Sequence, residues 1–380
     1  MNIEIKGVEF SNKGAELMMM AILDQINQNL PEAEIVMEPG LLAPYKSRAA
    51  IGAWQKCNFQ IKGRDIAGLI NVLPRAILNR LKHFGILAEK DIDVVLDASG
   101  FGYGDNWGSA SLKRTLAQIK RIKSHGGKYI FLPQAFGPFN DAENADIARE
   151  MFEEADLIVA RDHVSFDAIQ GLGEFSHLVQ FPDFTPLYAS KTLTKNADLA
   201  VIIPNHKMVS SFNQRDERPD DESYLTFLCA MARHLADNQF DVVVLNHEGK
   251  EDRQLCEQVI AEIPEARLVD GLNAVEVKHM IGESAVCVSS RFHGCVSGLS
   301  QGVPTLATSW SHKYEQLYAY YQKPELVIDL SQDISDVQDK LTHVLDNFTM
   351  YASDLTTSSI HHKQAIEQMW KTVFSVINEQ

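Results

Sequence analysis

The sequence predicts an α/β protein made of two Rossmann-like domains, each a parallel sheet covered by helices on both faces. Three observations carry this reading. Short β-rich apolar runs alternate with amphipathic stretches along the chain, the mark of repeated strand–helix units. The chain has 380 residues, more than one core of about 150 residues accommodates. The rhythm also breaks once, at the turn-rich Phe181-Pro182-Asp183-Phe184-Thr185-Pro186 and the polar stretch Lys191 to Asn196, then starts again. The expected domains are therefore residues 1–190 and 191–380, with the closing helix able to pack back on the first.

In the first half, strands are expected at Ile3 to Val8, Glu34 to Met37, Val94 to Asp97, Tyr129 to Leu132, Leu157 to Ala160 and Leu178 to Phe181, with helices such as Ala15 to Asn29 and Ser109 to Ser124 between them. The second half offers strands at Leu199 to Ile203, Asp241 to Leu245, Arg267 to Val269, Ala285 to Ser289 and Thr305 to Ala307. A helix follows at Cys295 to Gln301, and Ile334 to Asn347 and Ile360 to Ile377 close the chain. Ile66 to Leu87 stands apart: Arg64, Arg75, Arg80, Lys82 and His83 are set among Leu and Ile. It reads either as a basic amphipathic helix on an anionic membrane surface or as an insertion packed on its own domain.

Composition limits the function. With 45% apolar and 23% charged residues the chain is globular, and 35 Lys plus Arg against 51 Asp plus Glu leave −16, so no overall field draws nucleic acid. No run approaches the length of a membrane span, and the amino terminus reads as a strand rather than an export signal, so a cytoplasmic protein is expected, at most touching the inner face of a membrane. Cys57, Cys229, Cys256, Cys287 and Cys295 form no CxxC pair, which argues for reduced thiols and no zinc–thiolate site.

In open α/β sheets ligands bind beyond the carboxyl ends of strands, so polar residues just after each strand are the candidates. Arg291, His293 and Gly294 fall where the strand ending at Ser289 meets a helix. Unpaired backbone N–H groups there favour an anion, and a guanidinium adds bidentate recognition of phosphate or carboxylate. An imidazole is the side chain best suited to proton transfer near neutrality; the competing view is an Arg paired to a structural carboxylate beside a packed His. Asn12, Lys13, Gly14 and Glu16 follow the first strand and open a helix, where an acid also simply satisfies the helix dipole. Asp97 to Gly108 is a glycine-rich loop containing Gly100, Gly102, Tyr103 and Trp107. No frame gives GxGxxG, so a dinucleotide fingerprint is absent and its two aromatic rings are candidates for stacking on a sugar. Gln134, Arg161, Asp183, Asn205, His206, Lys207, His247 and Lys313 complete the strand-end set.

Taken together, these residues resemble the polysaccharide pyruvyl transferase family. The resemblance rests on Asn12 to Glu16, the Gly100 loop, Gln134-Ala135-Phe136-Gly137-Pro138, Arg161-Asp162 with Ser165, Pro182-Asp183, Ser290-Arg291-Phe292-His293-Gly294 and Lys313. It implies a GT-B-like pair of domains with a cleft between them. It implies transfer of the pyruvyl group of phosphoenolpyruvate to two hydroxyls of an envelope or capsule saccharide, forming a pyruvate ketal. On that basis His293, Arg291, Glu16 and Asp183 are the catalytic candidates. Arg291, His293, Gly294, Asn205, His206, Lys207, His247 and Lys313 would meet the donor. Asn12, Lys13, Gly14, Gly100, Gly102, Tyr103, Trp107, Gln134 and Arg161 would meet the acceptor, for which a lipid-linked saccharide is one expected form. The sequence departs from the family at Asn205-His206-Lys207, where relatives offer an arginine and Lys207 stands instead. The chemistry calls for no metal or cofactor beyond phosphoenolpyruvate as co-substrate. Two rival readings are a nucleotide-sugar glycosyltransferase of the same architecture and a non-catalytic saccharide-binding protein.

Overall fold

In the computed structural model, which describes all but residues 58–59, 62–63, 66–69, 189–193, 216–217 and 380, every strand pairing in the two large sheets is parallel. The strands are β1 (Asn2–Lys6), β2 (Glu34–Met37), β3 (Trp54–Lys56), the hairpin β4 (Gln60–Ile61) and β5 (Arg64–Asp65), β6 (Ile86–Leu87), β7 (Val94–Asp97), β8 (Lys128–Gln134), β9 (Leu157–Ala160) and β10 (Leu178–Gln180). The second half adds β11 (Leu199–Ile203), β12 (Asp241–Leu245), β13 (Arg267–Val269), β14 (Val286–Ser289), β15 (Thr305–Thr308) and β16 (Val327–Ile328).

The first sheet has the order β10-β9-β8-β7-β1-β2-β3-β6 and the second β13-β12-β11-β14-β15-β16. The second is the doubly wound order 3-2-1-4-5-6 counted from β11, and the first contains the same order counted from β1. In such sheets the order reverses at one point, and the crevice there is the ligand position. The two switch points are β1/β7 and β11/β14.

Most expected elements form within a residue or two of their anticipated limits. Strands such as Leu199–Ile203 are buried along their whole length, so their apolar runs identify them. Helices start where side chains cap them: Asp141 accepts from Asn144 N at 3.0 Å, and Asp220 from Ser223 N at 2.7 Å, satisfying amides that have no intrahelical acceptor. Tyr129, Phe131, Phe136 and Phe152 centre one core, and Val201, Val243, Ile281 and Cys287 the other.

Three expectations change. Ile66 to Leu87 is no continuous helix: residues 66–69 lie outside the described set, residues 71–74 are non-helical, the described helix Arg75–Lys82 follows Pro74, and Ile86–Leu87 joins the sheet edge. Proline lacks the amide an uninterrupted helix needs, while Leu78 packs with Cys57, Ile70 and Ala88. The helix expected at Cys295–Gln301 instead spans Phe292–Leu299, which makes Arg291 its N-cap residue. The last helix is longer than expected, Phe348–Asn378.

Contacts divide the chain between Asp183 and Phe184. Met1–Phe10, Met18–Asp183 and Ala365–Gln380 form one unit; Ser11–Leu17 and Phe184–Gln364 form the other. Ser190, the anticipated boundary, is outside the described residues. The final segment sits in the first unit, where Lys128 Nζ donates to the carbonyl of Val376 at 2.5 Å. The segment 11–17 belongs instead to the second unit, a displacement that local periodicity does not signal.

Candidate functional site

At the β11/β14 switch point, the site is held by a buried hydrogen-bond frame. Ser290 Oγ pairs with Tyr224 Oη at 2.5 Å and Thr308 Oγ1 at 2.6 Å, while its carbonyl accepts from Asn205 Nδ2 at 2.8 Å and Tyr314 Oη at 2.7 Å. These partners come from the loop after β11, from β15 and from two helices, so the turn leading into Phe292–Leu299 has little freedom. The helix also sits unusually close to the sheet. A Cβ at Gly294 would fall 2.5 Å from Ser289 Oγ, and one at Gly298 2.0 Å from Thr305 Oγ1.

Arg291 lies at the start of that helix with its guanidinium between two acids. Nε donates to Asp252 Oδ2 at 2.7 Å, Nη2 pairs with the same carboxylate, and Nη1 pairs with Glu248. Burial opposes the charge, but Asp252 and Glu248 outweigh it and hold Arg291 protonated. Asp252 is 1% exposed, with its other oxygen accepting from His206 N at 3.0 Å; the Glu248 side chain is 25% exposed and also accepts from Asn12 Nδ2 at 3.0 Å. The arginine thus has a buried anchor and a more exposed, exchangeable partner.

His293 follows on the first turn, and Gly14 packs against its ring: a Cβ there would lie 2.3 Å from Nδ1. The absence of a side chain at Gly14 is therefore what lets the backbone come this close to an imidazole. Lys13 N donates to the carbonyl of His247 at 3.3 Å, and Lys13 Nζ pairs with Glu16 at 2.8 Å. Burial, with Arg291, His293 and Lys13 adding to it, pushes His247 well below the usual imidazole range. Its ring is neutral near pH 7, and its buried Nδ1 has no hydrogen-bond partner among the described residues.

On the β15 side, Lys313 Nζ stands 4.1 Å from the Trp310 ring centroid and Lys207 Nζ 5.5 Å from it, close enough for cation–π attraction. A cavity of about 490 Å³ lies beside them, lined by Met208, Asn213, Arg215, Ser309, Glu315 and Asp329. Within the second unit, then, the fold gathers Asn12, Lys13, Gly14, Glu16, Asn205, His206, Lys207, His247, Arg291, His293, Gly294 and Lys313. The anticipated division of these residues between donor and acceptor sides does not follow the units, because 12–16 pack with the donor candidates. Glu248, Asp252 and Trp310 join them. Glu248 stands in the strand-end triplet Asn246-His247-Glu248, whereas Asp252, one turn further along, is a site residue that the strand-end rule did not single out.

The remaining candidates lie in the first unit. Arg161 and Asp183 form a buried pair at 3.3 Å. Gln134 is fully buried and donates to the Asp97 carbonyl at 3.1 Å. Tyr103 is 2% exposed, stacked on Phe136 at 6.2 Å, with its hydroxyl on Asp97 at 2.5 Å. It therefore has no open face for a sugar. Trp107 is half-buried, edge-on to Phe101 at 6.2 Å. Gly100 and Gly108 take positive φ, 73° and 70°, as the tight loop requires, and Gly102 approaches Ser99.

The two doubly wound sheets make this a GT-B-fold protein. Solved structures of that kind align along nearly its whole length. The UDP-GlcNAc 2-epimerase of Neisseria meningitidis, solved with UDP-GlcNAc, is 10% identical and covers 99% of this chain and 100% of its own, with TM-score 0.62. A putative UDP-N-acetylglucosamine 2-epimerase of Listeria monocytogenes gives 12% identity, 100% and 97% coverage, and TM-score 0.64. An alpha-glucosyltransferase in complex with UDP and a 13-mer DNA gives 11%, 100% and 99%, and 0.55. At such identities the likeness is one of fold. Residues 12–312 match the model of the polysaccharide pyruvyl transferase family, and the chain belongs to that family.

Proposed function

We propose that the protein transfers the pyruvyl group of phosphoenolpyruvate to two hydroxyls of a cell-envelope or capsule saccharide, forming a cyclic pyruvate ketal. The observation that supports this most directly is the placing of His293 beside Arg291 at the start of the helix Phe292–Leu299, on the β11/β14 switch point. The donor phosphate would take the helix N-terminus and exchange with Glu248 for Arg291, while Asp252 keeps the guanidinium oriented. Lys207 and Lys313 would meet its other charges.

His293 then protonates the methylene carbon, C2 becomes electrophilic, and a sugar hydroxyl adds there as a carboxylate takes its proton. Glu16 and Asp183 are the candidate bases. Loss of inorganic phosphate, which takes the proton back from that carboxyl, regenerates an electrophilic C2, and attack by the second hydroxyl, whose proton passes to the freed carboxylate, closes the ketal. Neutral His247 adds a hydrogen-bonding group without further positive charge. The reaction needs no metal, and we place it at the cytoplasmic face of a membrane. Val72, Ile77 and Phe84, exposed at 78%, 44% and 79%, and the exposed Arg75 of the same segment are the contact surface. Salt-sensitive flotation with anionic liposomes tests that contact; its absence removes it.

Thermal unfolding tests the donor. Phosphoenolpyruvate should raise the melting temperature by mass action, and His293→Gln should keep the shift while strongly slowing phosphate release with acceptor. A shift with nucleotide sugars and none with phosphoenolpyruvate would replace the proposal by a glycosyltransferase.

A further inference from the structure

The first unit carries an unusual sheet face. Strands buried on both sides in a parallel sheet normally present apolar residues to both, yet β1 reads Asn-Ile-Glu-Ile-Lys. Register places Lys6 beside Asp97, Glu4 beside Val95 and Val36, and Val36 beside Trp54, so Lys56 shares the face of Glu4 and Lys6. Glu38 follows β2 directly and Glu89 lies two residues beyond β6. The carboxyl ends of five strands around the β1/β7 switch point thus present a layer of charge.

That layer is internally matched. Lys56 Nζ pairs with Glu4 at 2.9 Å and Glu89 at 3.2 Å, Arg121 Nε with Glu89 at 2.5 Å, and Lys6 Nζ with Asp97 at 3.4 Å. Glu4, Lys56, Glu89 and Asp97 are each at most 2% exposed. Packing alone does not call for such a layer, since apolar residues of similar size are commonly as stable in such places. A cavity of about 330 Å³ opens over it, bounded by Ser111, Arg114, Thr115 and Gln118 from one face of the helix Ser109–Ser124 and by Trp107.

We propose that this cavity is a saccharide subsite for one sugar unit of the acceptor. Its floor alternates donors and acceptors, Lys6, Lys56 and Arg121 already face carboxylates, and a phosphate would meet Glu38 and Glu89 unfavourably. Ser99, Ser111 and Thr115 add hydroxyls, and the half-buried Trp107 supplies an apolar rim for the C–H face of a sugar ring. The inference rests on the reading of the protein as a saccharide-modifying transferase, and its test is independent of the donor.

Saturation-transfer NMR on the full chain, without phosphoenolpyruvate, uses methyl glycosides of hexoses, N-acetylhexosamines and hexuronic acids as probes. At least one class should bind. Ser111→Trp, which fills the cavity from its helix wall, should weaken that binding at least tenfold, and Arg114→Ala severalfold, both with unchanged melting temperature. Binding by no probe, or equal binding in Ser111→Trp, overturns the subsite. Saccharide binding lost in Ser111→Trp, with no thermal shift from phosphoenolpyruvate in any form of the protein, supports the subsite and removes the pyruvyl donor. The reverse pattern removes the subsite and leaves the donor reading standing.

Discussion

Gly14 and His293 are in contact across the second unit, with the position of a Gly14 Cβ only 2.3 Å from the imidazole Nδ1. Because that approach is backbone against a ring in a packed site, Gly14→Ala has to move the imidazole or the start of the helix Lys13–Asn29. We expect it to cost about 1–3 kcal/mol of stability, as overpacking does. Activity should fall more than the stability loss accounts for, because the displaced group is the proposed acid. Melting curves and phosphate release measured on the same sample separate the two effects; a fully active Gly14→Ala would show that the position of His293 is not critical.

Replacing His293 by Gln keeps the volume and a hydrogen-bonding group but removes the proton donor. Turnover should fall by about 10²–10⁴, the usual contribution of a positioned general acid. Turnover within a few-fold of the parent protein would assign the proton to another group.

The two acids on Arg291 should behave differently. Asp252→Ala leaves a buried guanidinium without its main partner and should destabilise by about 3–5 kcal/mol. Glu248→Gln removes the more exposed partner, 25% accessible, and should cost well under half as much. Urea unfolding measures both. If Glu248 yields to the donor, its Gln variant should bind phosphoenolpyruvate at least as tightly as the parent; weaker binding would mean that Glu248 helps to hold the ligand.

Stability should fall as the solution is acidified through the histidine range. Burial pushes His362 down to about 4, and His247 is also lowered well below its usual range. His362 lies against Tyr320 and Tyr321, with ring centroids 4.0 Å away in each case. Both imidazoles stay neutral in the folded protein while the unfolded chain takes up their protons below about pH 6.5. The unfolded state then binds more protons, so stability is highest above about pH 6.5 and declines toward about pH 4. His362 alone contributes on the order of 3 kcal/mol over that span. Urea midpoints at several pH values should show the slope, and His362→Phe should flatten it; an unchanged slope would mean that other groups control it.

Much of the architecture was legible because apolar runs of four or five residues such as Leu199–Ile203 and Asp241–Leu245 are distinctive against helical periodicity. The short strands β3, β6 and β16 were not, although the three-residue β10 and β13 were: Trp54-Gln55-Lys56 is largely polar, and two residues carry too little pattern to stand out. Tyr103 shows the limit at the site: a tyrosine in a glycine-rich loop looks available for stacking, and only packing on Phe136 and a hydrogen bond to Asp97 reveal it as core. The alternation of Glu4 and Lys6 in β1 was visible, but it acquires meaning only beside Lys56 and Asp97.

By itself the sequence determined the fold class, the two sheets and the strand-end positions of the polar groups, because hydrophobic periodicity and turn chemistry are local properties. It also placed Arg291 and His293 together, since they are two residues apart. The tertiary structure alone decided that residues 11–17 pack in the second unit, that Arg291 is shared by Asp252 and Glu248, and that Gly14 abuts His293. Those relationships join residues up to 279 positions apart, and pairings over such separations are set by strand order and close packing, which no local pattern encodes.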